Sequence, residues 1–367
     1  MSNIVPLVKK EAILFISAAL ACLSMIFIPP DAQYLSYINY SVLGILFCLM
    51  IVVAGLKKLG VFDFLSQKLL VRTKSVRLLS VLFVSCVFVC SMFVTNDVAL
   101  LTFVPITIEI FALSERKKLI FIIVMETLAA NLGSMLTPIG NPQNLYIYYF
   151  YRLNIMSFFE WVLPVGVVSY FIVIGLTIII QNGGVNITSG QKIKLGNVKK
   201  LLLYYAFLFI LCIITVLHIL DYRICTIIVL AATLITDRNL LKKVDYGLLL
   251  TFVCFFIFTG NLERIDAVKN AVSAAIKDRV FIMSVLSSQV ISNVPAAVML
   301  SFFTTDAHSL LLGVNIGGLG TPVASLASLI SFKLYSSSEN SEPGKFLGVF
   351  TIYNVLLLLF LCAVFHV

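Results

Sequence analysis

The sequence predicts an all-α polytopic membrane protein made of two inverted repeats, with two re-entrant hairpins and two broken transmembrane helices. Three observations predict it. Of 367 residues, 60% are hydrophobic and only 12% charged, with a mean hydropathy of +1.07. A soluble domain cannot hide that much apolar surface. Apolar runs of spanning length recur along the whole chain. Two polar motifs, each set inside an apolar run, occur twice and in the same order.

The uninterrupted runs lie at about 11–29, 38–57, 156–181, 199–219, 245–261 and 346–366, with a shorter one at about 222–237. Lys9 and Lys10 precede the first run, and no small-residue cleavage site follows before Pro29-Pro30, which reads as a retained first helix. Two regions, about 117–150 and 308–335, are long but interrupted by Gly, Pro and Asn, as in helices broken near the midplane. Two segments centred on Asn motifs remain, at about 78–113 and 279–305. Half of a ~30 Å hydrocarbon core takes roughly 10 helical residues. The arms on either side of Ser292-Asn293 fit that length, so 279–305 reads as a hairpin that enters and leaves on one side. The 78–113 segment has longer arms and reads as a deeper hairpin or as two short spans.

Charge tests this map. With the N-terminus inside, 20 of the 26 basic residues fall inside and 6 outside, as cytoplasmic loops require. The C-terminus then lies outside, and the chain is a multi-pass protein of the cytoplasmic membrane. The net charge of +9 belongs to these loops, so no nucleic-acid partner is expected, only the lipid bilayer and a small solute.

The halves repeat. Asn131-Leu132-Gly133-Ser134-Met135-Leu136-Thr137-Pro138 matches Asn315-Ile316-Gly317-Gly318-Leu319-Gly320-Thr321-Pro322, and Val94-Thr95-Asn96 matches Ile291-Ser292-Asn293. A looser likeness joins the 38–57 and 245–261 runs. An odd number of crossings separates those two runs, which makes the repeats inverted, an arrangement that belongs to secondary transporters. The expected organisation is 1–181 for the first half, 182–198 for a cytoplasmic linker and 199–367 for the second half.

Polar groups inside a bilayer need an internal partner, and in a transporter the partner is often the cargo or its coupling ion. Helix N-termini favour anions, while unwound carbonyls favour cations. Thr95, Asn96, Ser292 and Asn293 add side-chain oxygens suited to Na⁺. Gly133, Gly140, Gly317 and Gly318 let backbone approach a ligand. Pro138 and Pro322 stop the helix and free carbonyls. With Asn131, Thr137, Asn141, Asn315 and Thr321 they complete the expected binding set. Asp97 is an acid at a midplane tip with no neighbouring Lys or Arg in sequence, and it is the first proton-coupling candidate. Glu126, deep in its helix, is the second. For any one of these residues the alternative is helix packing, where small and polar residues are common; packing does not demand inverted duplication.

Other classes find less support. No GxxxxGK[ST] motif suggests a primary pump. The eight cysteines show no CxxC spacing, and His218, His308 and His366 are isolated, so neither a metal site nor a catalytic set can be argued for a membrane-embedded enzyme. No cofactor is expected beyond Na⁺ or H⁺.

Phe93-Val94-Thr95-Asn96-Asp97-Val98 and Ser292-Asn293-Val294-Pro295 resemble the ion transporter superfamily. That group includes divalent anion/sodium symporters, citrate carriers and arsenite permeases. The resemblance implies a secondary transporter of a small carboxylate or oxyanion, a homodimer, and an elevator-like movement. In the symporters each tip carries Ser-Asn-Thr against Na⁺ and a substrate carboxylate. Here Thr95-Asn96-Asp97 and Ser292-Asn293-Val294 keep the hydroxyl and the Asn, while Asp97 and Val294 replace Thr. Asn-Asp is similar to the arsenite-permease-like branch, and an acid there favours proton coupling. A sodium/proton antiporter is the alternative within transport.

Overall fold

The computed structural model describes residues 12–70, 75–111, 116–180 and 199–366. They form helices and short connections. In chain order the helices are α1 Ala12–Phe27, α2 Tyr34–Tyr37, α3 Tyr40–Lys58, α4 Val61–Leu70, α5 Val76–Val94, α6 Asn96–Phe111, α7 Arg116–Ser134, α8 Pro142–Phe150 and α9 Ile155–Ile178. The second half continues with α10 Lys199–Val216, α11 Tyr222–Thr236, α12 Tyr246–Glu263, α13 Asp266–Ile276, α14 Val280–Ile291, α15 Asn293–Ser301, α16 Ala307–Ile316, α17 Leu326–Ser336 and α18 Pro343–Phe365. Six of them (α3, α5, α9, α10, α12 and α18) are long and apolar enough to cross a membrane. The expected 182–198 linker lies outside the described residues.

The ends of these helices follow from their flanking residues. Asn39, Asn154, Asp221, Asp245 and Asp306 each accept a hydrogen bond from a backbone N–H in the first turn of α3, α9, α11, α12 and α16. Such caps satisfy donors that the helix leaves unpaired. Three helices were not anticipated from apolar run length: α2, α4 and α13. All are short and mix polar with apolar residues, so none makes a continuous apolar run.

Two ion pairs tie ends that the charge map assigns to one side. Lys58 Nζ meets Asp237 Oδ2 at 2.5 Å, joining the C-terminal ends of α3 and α11. Arg264 Nη1 meets Asp31 Oδ2 at 2.8 Å, joining the ends of α12 and α1.

The helices sort into two packed groups. In one, α3 lies against α10 and α11, and α1 lies against α12. In the other, α5, α7 and α9 pack together, α6 lies between α7 and α17, and α14–α16 form a cluster. The groups meet where α3 touches α8 and where α12 touches α15. Tyr146 marks this seam: its hydroxyl lies 2.6 Å from Ser301 Oγ, and its ring packs against Phe252 and Phe256.

Candidate functional site

Four interruptions of helix lie inside the second group. Two are single residues. Thr95 separates α5 from α6 with φ 72°, ψ 151°, and Ser292 separates α14 from α15 with φ 74°, ψ 156°. This part of conformational space is essentially reserved for glycine and costs of order 1–3 kcal/mol for another residue. A β-branched Thr there is a clear outlier. Matching strain at matching motif positions is the strongest local sign that both hydroxyls are held for a reason other than chain economy.

The other two interruptions are longer. The chain leaves α7 at Ser134 and re-enters helix at Pro142; it leaves α16 at Ile316 and re-enters α17 at Leu326 after a 3₁₀ turn at Pro322–Ala324. Pro138 and Pro322 stand within these gaps, where no helical N–H is required. Gly133 permits the first gap to lie against α5: a Cβ there would come within 2.2 Å of the Phe88 carbonyl oxygen and 2.5 Å of Ser91 Oγ. A Cβ at Gly317 would likewise meet Ser288 at 2.9 Å.

The side chains across these gaps are bonded in a crossed pattern. Asn131 Oδ1 accepts from Ser325 Oγ at 3.0 Å, and Asn131 Nδ2 donates to Ser328 Oγ at 3.1 Å. In the other half, Asn315 Oδ1 accepts from Asn141 Nδ2 at 3.0 Å, and Asn315 Nδ2 donates to Asn144 Oδ1 at 2.6 Å. Each Asn before one gap therefore docks on the two polar residues after the other gap. The same register recurs in the tips: Thr137 Oγ1 donates to the Met92 carbonyl, and Thr321 Oγ1 donates to the Gln289 carbonyl at 3.2 Å.

The tips join this network. Asn96 Nδ2 donates to Asn131 Oδ1 at 3.2 Å, its Oδ1 accepts from the Asp97 N–H at 3.0 Å, and its own N–H donates to the Gly140 carbonyl at 3.2 Å. Ser292 Oγ donates to the Ala324 carbonyl at 3.3 Å. Asn293 lies against the second gap, its Nδ2 being 2.9 Å from where a Cβ on Gly318 would sit. The structure thus gathers Asn96, Asn131, Asn141, Asn315, Ser292 and Asn293 into one buried region. Thr137 and Thr321 brace the tips from its edge, and Thr321 is exposed.

Thr95 and Asp97 face a cavity of about 750 Å³ shared with Lys57, Lys58, Asp237 and Asp245. Asp97 Oδ1 is buried and has no hydrogen-bond partner among the described residues. Glu126 lies elsewhere, fully buried between α6 and α7, with Oε1 accepting from Thr107 Oγ1 at 2.5 Å and Oε2 without a partner among the described residues.

Sequence reasoning missed Asn144, Ser325, Ser328 and Gln289. For the first three a signal existed. Asn141 and Asn144 follow Asn131 by the same intervals at which Ser325 and Ser328 follow Asn315, so extending the register of the octapeptide match finds all four. Gln289 had no such signal, because its counterpart in the first half is Met92.

Comparison with known proteins bears on what this region does. The profile of the citrate transporter family matches residues 7–312. An uncharacterized transporter of Methanocaldococcus jannaschii is 31% identical over 360 residues, covering 97% of this chain and 98% of the relative. An inner membrane protein of Escherichia coli is 30% identical over 290 residues, 78% of this chain and 77% of its own length. A silicon efflux transporter of Oryza sativa is 34% identical over 137 residues, 37% of this chain and 28% of the relative.

Proposed function

The chain belongs to the citrate transporter family, and from that premise we propose that this membrane transporter is a secondary active carrier of a small anion, a carboxylate or an oxyanion, driven by a gradient of Na⁺ or H⁺. The observation that carries the reading is the crossed bonding of Asn131 and Asn315 across the two helix gaps. It supports two halves of inverted topology meeting at a central site, with hairpin tips at Thr95-Asn96 and Ser292-Asn293. In alternating access such a site stays intact while its surroundings change. The four cross-gap bonds suit that demand, since they tie both gaps into one body. The seam at α3–α8 and α12–α15 is then the sliding surface of an elevator. The group containing α3, α10 and α11 is its scaffold and the place for a homodimer contact. The ion pairs of Lys58 with Asp237 and of Arg264 with Asp31 each join helix ends that this topology places on the same side of the membrane.

Asp97 favours a second reading. It stands where the symporters it resembles carry Thr, and it shares its cavity with Asp245 and with Asp237, whose carboxylate is paired with Lys58. Two carboxylates beside a cargo site suit a cation exchanger or an arsenite-type permease better than a dicarboxylate carrier. The test is a thermal-shift screen of the purified protein against carboxylates, oxyanions and arsenite, followed by counter-flow in proteoliposomes with each ligand found. Stabilisation and exchange of an anion are expected. Proton–sodium exchange with no solute counter-flow would replace the first reading with the antiporter.

A further inference from the structure

Both helix gaps free backbone carbonyls, and in both an amide side chain fills the space between them. In the first gap Asn144 Nδ2 donates to the carbonyls of Met135 and Thr137, each at 3.0 Å, with Ser134 O at 3.5 Å. In the second, Gln289 Nε2 donates to the carbonyls of Gly317 at 2.7 Å and Leu319 at 2.9 Å, while its Oε1 accepts from the Thr321 N–H at 2.9 Å. The chain makes room for this second amide. Gly320 has φ +96°, and a Cβ there would sit 2.3 Å from Gln289 Oε1.

A hard cation such as Na⁺ takes oxygen ligands that converge on one point. The gap carbonyls are the natural source of such ligands in a broken helix. Here they converge instead on an N–H₂ group, which carries two donors and no lone pair to offer a cation. The residues present do not fit Na⁺ at either gap.

We propose that Asn144 and Gln289 are specificity-determining residues that close the two helix gaps to Na⁺, their amides standing where a coupling cation would otherwise bind. The inference rests on the transporter reading only for its meaning; the binding claim stands on the gap geometry alone. Gln289 is the more informative of the two, because it lies at the half-buried edge of its gap whereas Asn144 is fully buried and also holds Asn315.

The experiment is thermal unfolding of the purified full chain, without cargo, in NaCl, KCl and choline chloride at equal ionic strength. The parent should melt at one temperature in all three salts. Gln289→Ala removes the amide and should melt lower in KCl, with part of the loss recovered by NaCl alone. Gln289→Glu places an oxygen ligand where the nitrogen was and should be stabilised by Na⁺ over K⁺ more strongly still. A Na⁺-specific rise in the parent overturns the proposal. So does the absence of any Na⁺-specific rise in both variants when they fold; if neither folds, the parent's response decides. Failure of every anion to exchange would instead sink the transport reading and leave this result standing.

Discussion

Replacing Asn315 by Ala probes the crossed network where it is densest. The substitution removes the bond to Asn144 Oδ1 at 2.6 Å and the one accepted from Asn141 Nδ2 at 3.0 Å. Asn141 keeps a partner, since its Nδ2 also donates to Ser134 Oγ at 3.2 Å. Asn144 Oδ1 does not: no other donor to it is present among the described residues, and Asn144 is 0% exposed. A stranded buried acceptor costs about 1–3 kcal/mol and an ordinary lost bond about 0.5–1.5 kcal/mol, so the sum is about 1.5–4.5 kcal/mol. In membranes the unfolded reference also finds partners, and single interhelical bonds average only about 0.6 kcal/mol. That pulls the expectation to the lower end, about 2 kcal/mol. The assay is denaturant unfolding in detergent micelles followed by the fluorescence of Trp161, the only tryptophan in the chain. Its ring lies 4.9 Å from that of His308, on the helix that carries Asn315, so the signal reports this packing directly. A double-mutant cycle with Asn144→Ala should show a coupling of about 0.5–3 kcal/mol, whereas Asn315→Ala with Ser328→Ala, which belongs to the other bonded pair, should come closer to additivity. A variant within about 0.5 kcal/mol of the parent, or zero coupling to Asn144, would refute the reasoning.

Thr95→Gly should relieve the strained tip and raise stability by about 1–3 kcal/mol while lowering uptake of whatever anion the screen identifies; a stabilised variant with unchanged uptake would show that the hydroxyl does not serve the cargo. Asp97→Asn should keep binding of that anion but lose accumulation driven by an imposed pH gradient in proteoliposomes, and unchanged accumulation would move the coupling role to Glu126. Lys58 holds the Asp237 carboxylate below the usual range, so this pair contributes stability above the unfolded-state value and loses it as pH falls through the folded one; Asp237→Asn should flatten the acid side of the stability profile and leave the neutral region almost unchanged. Cysteines at Lys68 and Lys269 should be labelled by an impermeant reagent from opposite sides of the membrane, and labelling from one side would break the inverted-repeat reading.

The sequence alone determined that this chain lives in a membrane, because 60% apolar residues admit no other solvent. It located five of the six helices long enough to cross, α3, α9, α10, α12 and α18, since apolar run length acts locally, but it read α5 as part of a hairpin or a short span and 11–29 as a full crossing. It marked Asn96, Asn131, Asn293 and Asn315 as one set through repeated register, and their superfamily through the Thr-Asn-Asp and Ser-Asn motifs. It could not disclose α2, α4 and α13, whose burial depends on neighbours rather than on an apolar run. It was equally silent on the partners of those Asn residues. A hydrogen bond between Asn131 and Ser328 joins positions 197 residues apart, and only the packing of α7 against α17 decides that it forms. Gln289 illustrates the same limit. In the sequence it is one of four polar residues in a mostly apolar helix, and it becomes the occupant of the second gap only because the Gly317 and Leu319 carbonyls fold to within bonding distance of its amide.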